Sequence, residues 1–200
     1  MNYPNGKKNV DTNFVKKTKS INKANLGLNF EELINKSNEY YLKNNIAVIY
    51  KKPTPIKVTK VNYPSRSKAK ITEAFYQQPS TTDYNGIYNG KYIDFEAKSC
   101  NGLSFPFKSI YKHQLEHLFR INMHGGLSFL LIMFNDYQEV FLLKSSILYE
   151  LYQQSLNGGR KSIPYSFFKE NAEQIKLGYL LPIDYISAIN NVFLKGENYD

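Results

Sequence analysis

Residues 80–99 read STTDYNGIYNGKYIDFEAKS, and this stretch combines the pattern of a β-hairpin with the carboxylates of Asp83, Asp94 and Glu96. Two short runs of β-favouring residues flank Asn89-Gly90, which is typical of a type I′ hairpin turn because both central residues of that turn need positive φ. Asn85-Gly86 is a second dipeptide of the same kind, and a turn there would pair different residues. We favour a hairpin turning at Asn89-Gly90, since it gives one polar and one apolar face.

A turn at Asn89-Gly90 fixes which residues lie opposite each other across the hairpin. The opposed polar pairs are Asn85 with Asp94, Asp83 with Glu96, and Thr81 with Lys98. Because side chains alternate along a strand, these six point from one face. Tyr84, Phe95 and Ala97 point from the other face, which is predicted to pack on the core.

Two directly opposed carboxylates destabilise a strand pair unless positive charge lies between them. Mg²⁺ prefers hard oxygen ligands, and Asp83, Glu96 and the Thr81 hydroxyl are within reach of one ion, with Lys98 beside it. A metal that activates water and a lysine that offsets the charge developing in the transition state are the groups that a site for phosphodiester hydrolysis needs. Asp94 lies on the same face, either as a supporting acid or as a solvated strand end.

Positive charge is concentrated in the first two-fifths of the chain. Residues 1–80 hold 15 of the 26 Lys and Arg residues but only 5 of the 17 acidic residues. This asymmetry favours nucleic acid as a partner over an anionic membrane surface, for which no basic amphipathic helix is present. Residues 1–25 are predicted to be a flexible basic arm. Its candidate phosphate contacts are Lys7, Lys8, Lys16, Lys17, Lys19 and Lys23.

A second hairpin is predicted within residues 52–77, where IKVTKV and AKITEAFY flank a polar turn that contains proline. Few of its residues are apolar, so it is expected to be thinly packed and to project from the body. The alternative is a solvated edge hairpin whose lysines only deter aggregation. The candidate DNA-binding residues are Lys51, Lys57, Lys60, Arg66, Lys68 and Lys70.

The rest of the pattern predicts an α/β fold, a mixed sheet flanked by helices, in one domain over residues 26–200. Asn29 is the expected N-cap of the first helix, and residues 127–134 are apolar on both faces, as in a central strand. Residues 46–50 are predicted to be a buried strand. Helices are predicted within residues 28–44, 108–123, 145–156, 166–178 and 184–196.

The sequence also argues against a membrane span, an internal disulfide and a histidine metal site. No apolar run approaches the roughly 18 residues needed to cross a bilayer and no apolar signal region is present, so a cytoplasmic protein is expected. Cys100 is the only cysteine, which excludes an internal disulfide and suggests an inert thiol. His113, His117 and His124 are expected to face solvent or DNA, because no further ligand cluster accompanies them.

Five blocks of the sequence resemble the RecU Holliday junction resolvase family of the PD-(D/E)xK nuclease superfamily. They are SNEYYLKNNIAVIYKKPTPI, VNYPSRSKA, PSTTDYNGIYNGKYIDFEAK, SFPFKSIYKHQLEHL and LSFLLIMF. The resemblance implies a restriction-endonuclease-like sheet with a projecting β-hairpin stalk that enters the junction. It also implies a homodimeric, Mg²⁺-dependent enzyme that nicks opposed strands of four-way DNA junctions during recombination and repair, beside the RecA recombinase and the branch-migration motor.

Two other functions remain open from the sequence. The chain could be another nuclease of the superfamily that cuts linear duplex. It could also be a non-catalytic junction-binding or recombinase-regulating protein that keeps the fold.

The resemblance also implies roles for individual residues. Lys98 matches the lysine that stabilises the transition state in the family. Glu31 matches a glutamate on the first helix, and Arg66 matches a stalk arginine that the family uses in binding the junction. The matching metal-binding positions are Thr81, Asp83, Glu96 and Gln114.

The chain departs from the family pattern in two places. Leu26-Gly27 stands where the family usually has Arg-Gly. The segment between Lys98 and Ser104 is one residue shorter than usual, so the placement of Gln114 depends on how the loop absorbs the deletion.

Overall fold

A computed structural model describes residues 29–76 and 81–195. The predicted arm at residues 1–25 and the Leu26-Gly27 departure lie outside these residues. The helices are α1 (Phe30–Lys43), α2 (Lys112–Met123), α3 (Ser145–Leu156), α4 (Tyr165–Asn171) and α5 (Tyr185–Phe193). The strands are β1 (Val48–Lys51), β2 (Ile56–Asn62), β3 (Lys70–Tyr76), β4 (Tyr84–Tyr88), β5 (Lys91–Cys100), β6 (Ser104–Pro106), β7 (Leu127–Phe134), β8 (Glu139–Lys144), β9 (Ser162–Pro164) and β10 (Glu173–Ile175).

A six-stranded mixed sheet with the order β1-β4-β5-β7-β8-β10 forms the centre of the fold. β5 and β7 are parallel and are connected through α2, whereas the other neighbours are antiparallel. One hydrophobic cluster joins the sheet to α1 and α5, and a second joins its other face to α2, α3 and α4. The predicted α/β class, with a mixed sheet flanked by helices, is confirmed.

The two central strands carry the core of the sheet. All eight residues of β7 are buried, which confirms it as a central strand. On β5, the Phe95 ring stacks between those of Tyr84 and Phe129, with centroid distances of 4.9 and 4.8 Å. The core therefore lies behind Phe95, as predicted.

The predicted turn at Asn89-Gly90 is formed, with φ of 45° and 71° at the two residues. The register pairs Asn85 with Asp94 and ends with Tyr84 opposite Phe95. The other candidate, Asn85-Gly86, lies inside β4. A Cβ on Gly86 would be 2.1 Å from the Val48 carbonyl oxygen, so glycine is needed there because β1 and β4 approach closely.

Two predicted elements were wrong in part. β1 is an edge strand in which only Ile49 is buried, because β1 pairs with β4 alone. The helix predicted over residues 166–178 ends at Asn171, and the following residues form β10 against β8. Pairing at a sheet edge overrides a local helical pattern there.

The first helix begins as predicted. The Asn29 side chain accepts a hydrogen bond from the Glu32 N–H, and the Glu32 carboxylate accepts one from the Asn29 N–H. This reciprocal cap fixes the start of α1 and thereby the position of Glu31 in its first turn.

β2 and β3 form a separate two-stranded hairpin in which every residue is exposed. The hairpin itself and its thin packing are therefore as predicted, while its role as a stalk stays a prediction. Ile56 lies opposite Tyr76, and Val58 lies opposite Ala74. The register shifts on both sides of Lys60, so the pairing of the two strands is irregular there.

Two smaller predictions concern membrane spans and the thiol. No helix in the described ranges is both long and apolar enough to cross a bilayer.

Burial raises the pKa of the Cys100 thiol to about 11, with the Asp136 carboxylate adding to the rise. A thiol that stays protonated at neutral pH is a poor nucleophile, which agrees with the inert role predicted for it.

Candidate active site

Three charged side chains lie on the face of β5 that is covered by α2. Asp94, Glu96 and Lys98 alternate with Phe95 and Ala97, which contact the opposite core. The six-stranded sheet thus separates the polar row of β5 from its apolar row, as strand alternation requires.

Glu96 is fully buried, and one of its carboxylate oxygens accepts two hydrogen bonds. Lys98 Nζ lies 2.6 Å and Gln114 Nε2 lies 2.7 Å from Glu96 Oε1, whereas Oε2 has no hydrogen-bond partner. Burial raises the pKa of Glu96 to about 7, the Asp83 charge adds to the rise, and Lys98 opposes it. Burial and the Asp83 charge therefore favour the protonated form of this carboxyl group over the ionised form.

Asp83 lies immediately before β4 and beside Glu96. The strand pairing stops at Tyr84, so the predicted direct pairs of Asp83 with Glu96 and of Thr81 with Lys98 are not part of the ladder. Instead, Asp83 Oδ2 accepts a hydrogen bond of 3.1 Å from the Ala97 N–H. The two acids still influence each other, and they can share a hydrogen bond only when one carries the proton.

Gln114 reaches the site from the first turn of α2. Its Oε1 accepts a hydrogen bond of 3.0 Å from the Tyr111 N–H, while its Nε2 donates to Glu96. The short loop after Lys98 therefore still places Gln114 at the site. Its role as a metal ligand stays a prediction, since the structure shows its amide contacting the acid and the helix cap.

Thr81 and Glu31 lie around the edge of this group. The exposed Thr81 hydroxyl accepts a hydrogen bond of 3.3 Å from Lys52 Nζ. Glu31 Oε1 pairs with Lys51 Nζ at 2.5 Å on the surface. Burial raises the pKa of Tyr84, and the charges of Glu31 and Asp83 add to it, so both acids lie near this tyrosine.

Asp94 is also fully buried, but donors surround its carboxylate. Lys52 Nζ lies 2.8 Å, Tyr92 OH 2.9 Å and His117 Nε2 3.2 Å from Oδ2, and the Thr82 hydroxyl donates to Oδ1. Burial alone would raise the pKa of Asp94, but hydrogen bonds from His117, Lys52 and Thr82 outweigh it and hold that pKa below its ordinary value. The solvated strand end is therefore excluded.

The sequence did not single out Lys52 or assign His117 to this cluster. The strand register had placed Asp94 on the polar face, but nothing local indicated which cations would reach it. His117 is 25% exposed and contacts Asp94, so it does not simply face solvent, while a DNA-facing role stays a prediction. His113 and His124 are exposed.

A divalent cation fits the donors around Glu96. Asp83 and Glu96 supply neighbouring carboxylates, and the buried Glu96 Oε2 lacks any donor. Such oxygens are the ligands that Mg²⁺ prefers. Within the described residues, no group of three or more His, Cys, Asp or Glu side chains could hold a metal. Any ion here would thus rest on two carboxylates and on neutral oxygens or water.

The basic hairpin residues belong to the separate β2–β3 sheet, whereas Glu96 lies on β5 of the central sheet. Lys57 lies opposite Phe75, and Lys60 opposite Glu73. Arg66 and Lys68 lie in the 3₁₀ turn that connects the two strands, and both are exposed. These side chains are accessible to a polyanion, and their contacts with DNA stay a prediction.

The fold and the site together define a nuclease-like α/β protein, in which a central strand carries Glu-x-Lys beside an aspartate that immediately precedes the neighbouring strand. The family model described as RecU: Recombination protein U matches residues 25–191. The chain belongs to the RecU family, as its sequence blocks indicated.

Relatives match over almost their whole length. A protein named Holliday junction resolvase RecU from Oceanobacillus iheyensis is 45% identical over 195 residues, which cover 96% of this chain and 100% of the relative. Proteins of the same name from a Geobacillus species and from Bacillus cytotoxicus are 45% and 43% identical. In both cases the match covers 96% of this chain and 98% of the relative.

Proposed function

We propose that this protein is a Holliday junction resolvase, a structure-specific endonuclease that hydrolyses phosphodiester bonds of four-way DNA junctions in recombination and repair. Full-length similarity to proteins of that name supports the substrate. The observation that carries the chemistry is the buried Glu96 Oε2, which has no donor while Asp83 and Lys98 lie beside it.

Mg²⁺ is the proposed cofactor, held by Asp83 and Glu96. Thr81 and Gln114 are the further ligand positions that the family resemblance implies. When bound, the ion lowers the pKa of a water molecule and polarises the phosphoryl oxygen. Asp83 and Glu96 must both be ionised to hold it, and the charge of the ion offsets the burial and the Asp83 repulsion that otherwise raise the pKa of Glu96.

Lys98 is the proposed transition-state stabiliser. Its ammonium, 2.6 Å from Glu96 Oε1 and partly exposed, lies where it can also reach a phosphate oxygen. Positive charge placed in advance at this position stabilises the negative charge that develops on the phosphate, because no reorganisation is needed during the reaction. Glu31 is assigned a supporting catalytic role from the resemblance alone.

The exposed hairpin and the basic arm are the proposed DNA contacts. Lysines and arginines bind phosphates without regard to sequence, which suits recognition of a junction by its shape. Symmetrical nicking of opposed strands requires two active sites, so the proposed working form is a homodimer. The RecA recombinase and the branch-migration motor are the proposed protein partners, and the cytoplasm, where bacterial DNA lies, is the proposed location.

Cleavage assays on a synthetic mobile four-way junction and a linear duplex of matching sequence test this function. Each strand is labelled in turn, and the reactions are run with and without Mg²⁺. The expected result is paired nicks in two opposed junction strands that appear only with Mg²⁺. Equal cutting of the linear duplex would indicate a general nuclease, and tight junction binding without cutting would indicate a non-catalytic protein.

A further inference from the structure

Lys52 directly follows β1 and contacts the segment that carries Asp83 through both its main chain and its side chain. Its backbone N–H donates to the Asp83 carbonyl oxygen at 2.7 Å. Its ammonium lies 3.3 Å from the Thr81 hydroxyl and 2.5 Å from the Thr82 hydroxyl. One residue therefore holds all three residues of segment 81–83.

The ammonium of Lys52 is itself anchored on Asp94. This carboxylate has 0% exposure, and Lys52 Nζ lies 2.8 Å from its Oδ2. The Thr82 hydroxyl donates to Asp94 Oδ1, while Tyr92 of β5 and His117 of α2 contact Oδ2. The anchor is thus fixed by the central sheet and by the helix that also carries Gln114.

Segment 81–83 needs such an anchor because strand pairing does not reach it. The ladder between β4 and β5 ends at Tyr84 and Phe95. The Asp83 carboxylate must nevertheless lie beside Glu96, with only the Ala97 N–H donating to it from β5. Side chains that hold a metal ligand in place influence both the metal affinity and the reaction rate. Asp83 is the proposed ligand here, and the contacts of Lys52 hold the segment that carries it.

A direct role of Lys52 in DNA binding fits the geometry less well. The Lys52 side chain is 15% exposed and faces Asp94, whereas that of the preceding Lys51 is 45% exposed on the surface. The hydrogen bonds of Lys52 Nζ to Asp94, Thr82 and Thr81 occupy its donors, since an ammonium has three.

We infer that Lys52, anchored on Asp94, is a positioning residue that clamps segment 81–83 so that Asp83 faces Glu96. This inference rests on the proposed function for the reaction that Asp83 serves. Lys52 contacts Asp94 and segment 81–83. In this inference both residues act through Asp83.

The experiment compares Lys52→Met with wild type and with Lys169→Met. The control removes an ammonium that pairs with Glu139 and Gln174, neither of which contacts a site residue in the part of the chain that the structure describes. Three quantities are measured on the full-length protein: the single-turnover rate of junction cutting, the junction Kd in Ca²⁺, and the Mn²⁺ affinity by calorimetry without DNA. Lys52→Met is expected to lose roughly 10- to 100-fold in both rate and Mn²⁺ affinity, with an unchanged junction Kd. The control is expected to match wild type in all three.

A wild-type rate and Mn²⁺ affinity in Lys52→Met would overturn the inference. So would a loss of junction affinity as large as the loss of rate, because it would indicate a direct DNA contact. If Lys52→Met does not fold, the double variant Lys52→Met/Asp94→Asn removes both buried charges and is measured instead. Slow cutting by the folded double variant supports the clamp, and wild-type cutting refutes it.

The same experiment separates this inference from the proposed function. If the wild-type protein cuts no junction, the proposed function fails. The comparison of Mn²⁺ affinities between wild type and Lys52→Met then still decides whether Lys52 positions Asp83.

Discussion

Asp94 and Glu96 lie two residues apart on one face of β5, and both are fully buried, yet their carboxylates differ in how many hydrogen-bond partners they have. Four side chains contact Asp94, and its pKa is held below the ordinary value. Glu96 has one oxygen without a partner and a pKa of about 7. Asp94 is therefore held ionised in a fixed place, whereas Glu96 keeps one oxygen without a partner, which is the position proposed for a cation.

The raised pKa of Glu96 predicts that the metal-free protein becomes less stable as pH rises from about 4.5 to about 7. The folded state binds more protons than the unfolded state in this window, so the free energy of unfolding falls with pH. Glu96→Gln removes this titration and should make the stability depend less on pH, by about 3 to 4 kcal/mol at most, since one pKa unit corresponds to about 1.4 kcal/mol. Urea unfolding in EDTA at pH 5 and pH 8 measures the difference.

Mg²⁺ provides the control for this pH effect. At pH 8 a bound ion should raise the melting temperature of wild type, because it binds the folded state only, and should raise that of Glu96→Gln much less. A wild-type stability that does not fall between pH 5 and pH 8 would show that ionised Glu96 is not destabilised by burial.

Asp83→Asn and Lys98→Ala are each expected to lower the rate of junction cutting by at least about 100-fold while junction binding persists. Asp83→Asn removes a proposed metal ligand, and Lys98→Ala removes the ammonium 2.6 Å from Glu96. Single-turnover cleavage and gel-shift assays in Ca²⁺ separate rate from binding. Lys112→Ala, which removes an exposed lysine of α2 that pairs with Glu116, is the matched control. Wild-type cutting by either site variant would refute the assigned role.

The sequence predicted the hairpin register and the polar face of β5, because both depend on local rules of turn and alternation. A turn at Asn89-Gly90 was enough to place Asn85 opposite Asp94. The end of the ladder at Tyr84 was not predictable in this way, since it depends on how the chain meets β1 at Lys52.

The donors around Asp94 were missed for a related reason. Lys52 and His117 are 42 and 23 residues from Asp94 in sequence, and only the packing of β1 and α2 against β5 brings them together. No spacing rule identifies such a pair. The exposed edge strand β1 was likewise predicted to be buried, because an apolar run does not show whether one or two neighbours will pair with it.

Gly86→Ala is expected to destabilise the protein by about 1–3 kcal/mol, because its Cβ would lie 2.1 Å from the Val48 carbonyl oxygen and 2.6 Å from Ile49 Cα. Both are backbone atoms, so β1 itself must shift. Thermal and urea unfolding measure the cost. Ser166→Ala, an exposed position in α4, is the control and should change stability by less than about 0.5 kcal/mol. An unchanged stability for Gly86→Ala would mean that β1 and β4 are not so close in solution.

Shortening the β2–β3 hairpin from both strands is expected to weaken junction distortion more than nonspecific duplex binding. All residues of both strands are exposed and pair only with each other, so the shortened protein should keep the melting temperature of wild type. Energy transfer between dyes on the junction arms reports distortion, and gel-shift titration with linear duplex reports nonspecific binding. A variant that keeps the full hairpin but replaces Lys57, Lys60 and Lys70 with Ala separates charge from shape, and its binding should depend less steeply on salt. Equal losses of junction distortion and duplex binding in the shortened protein would refute a stalk role, because a general basic surface would explain both.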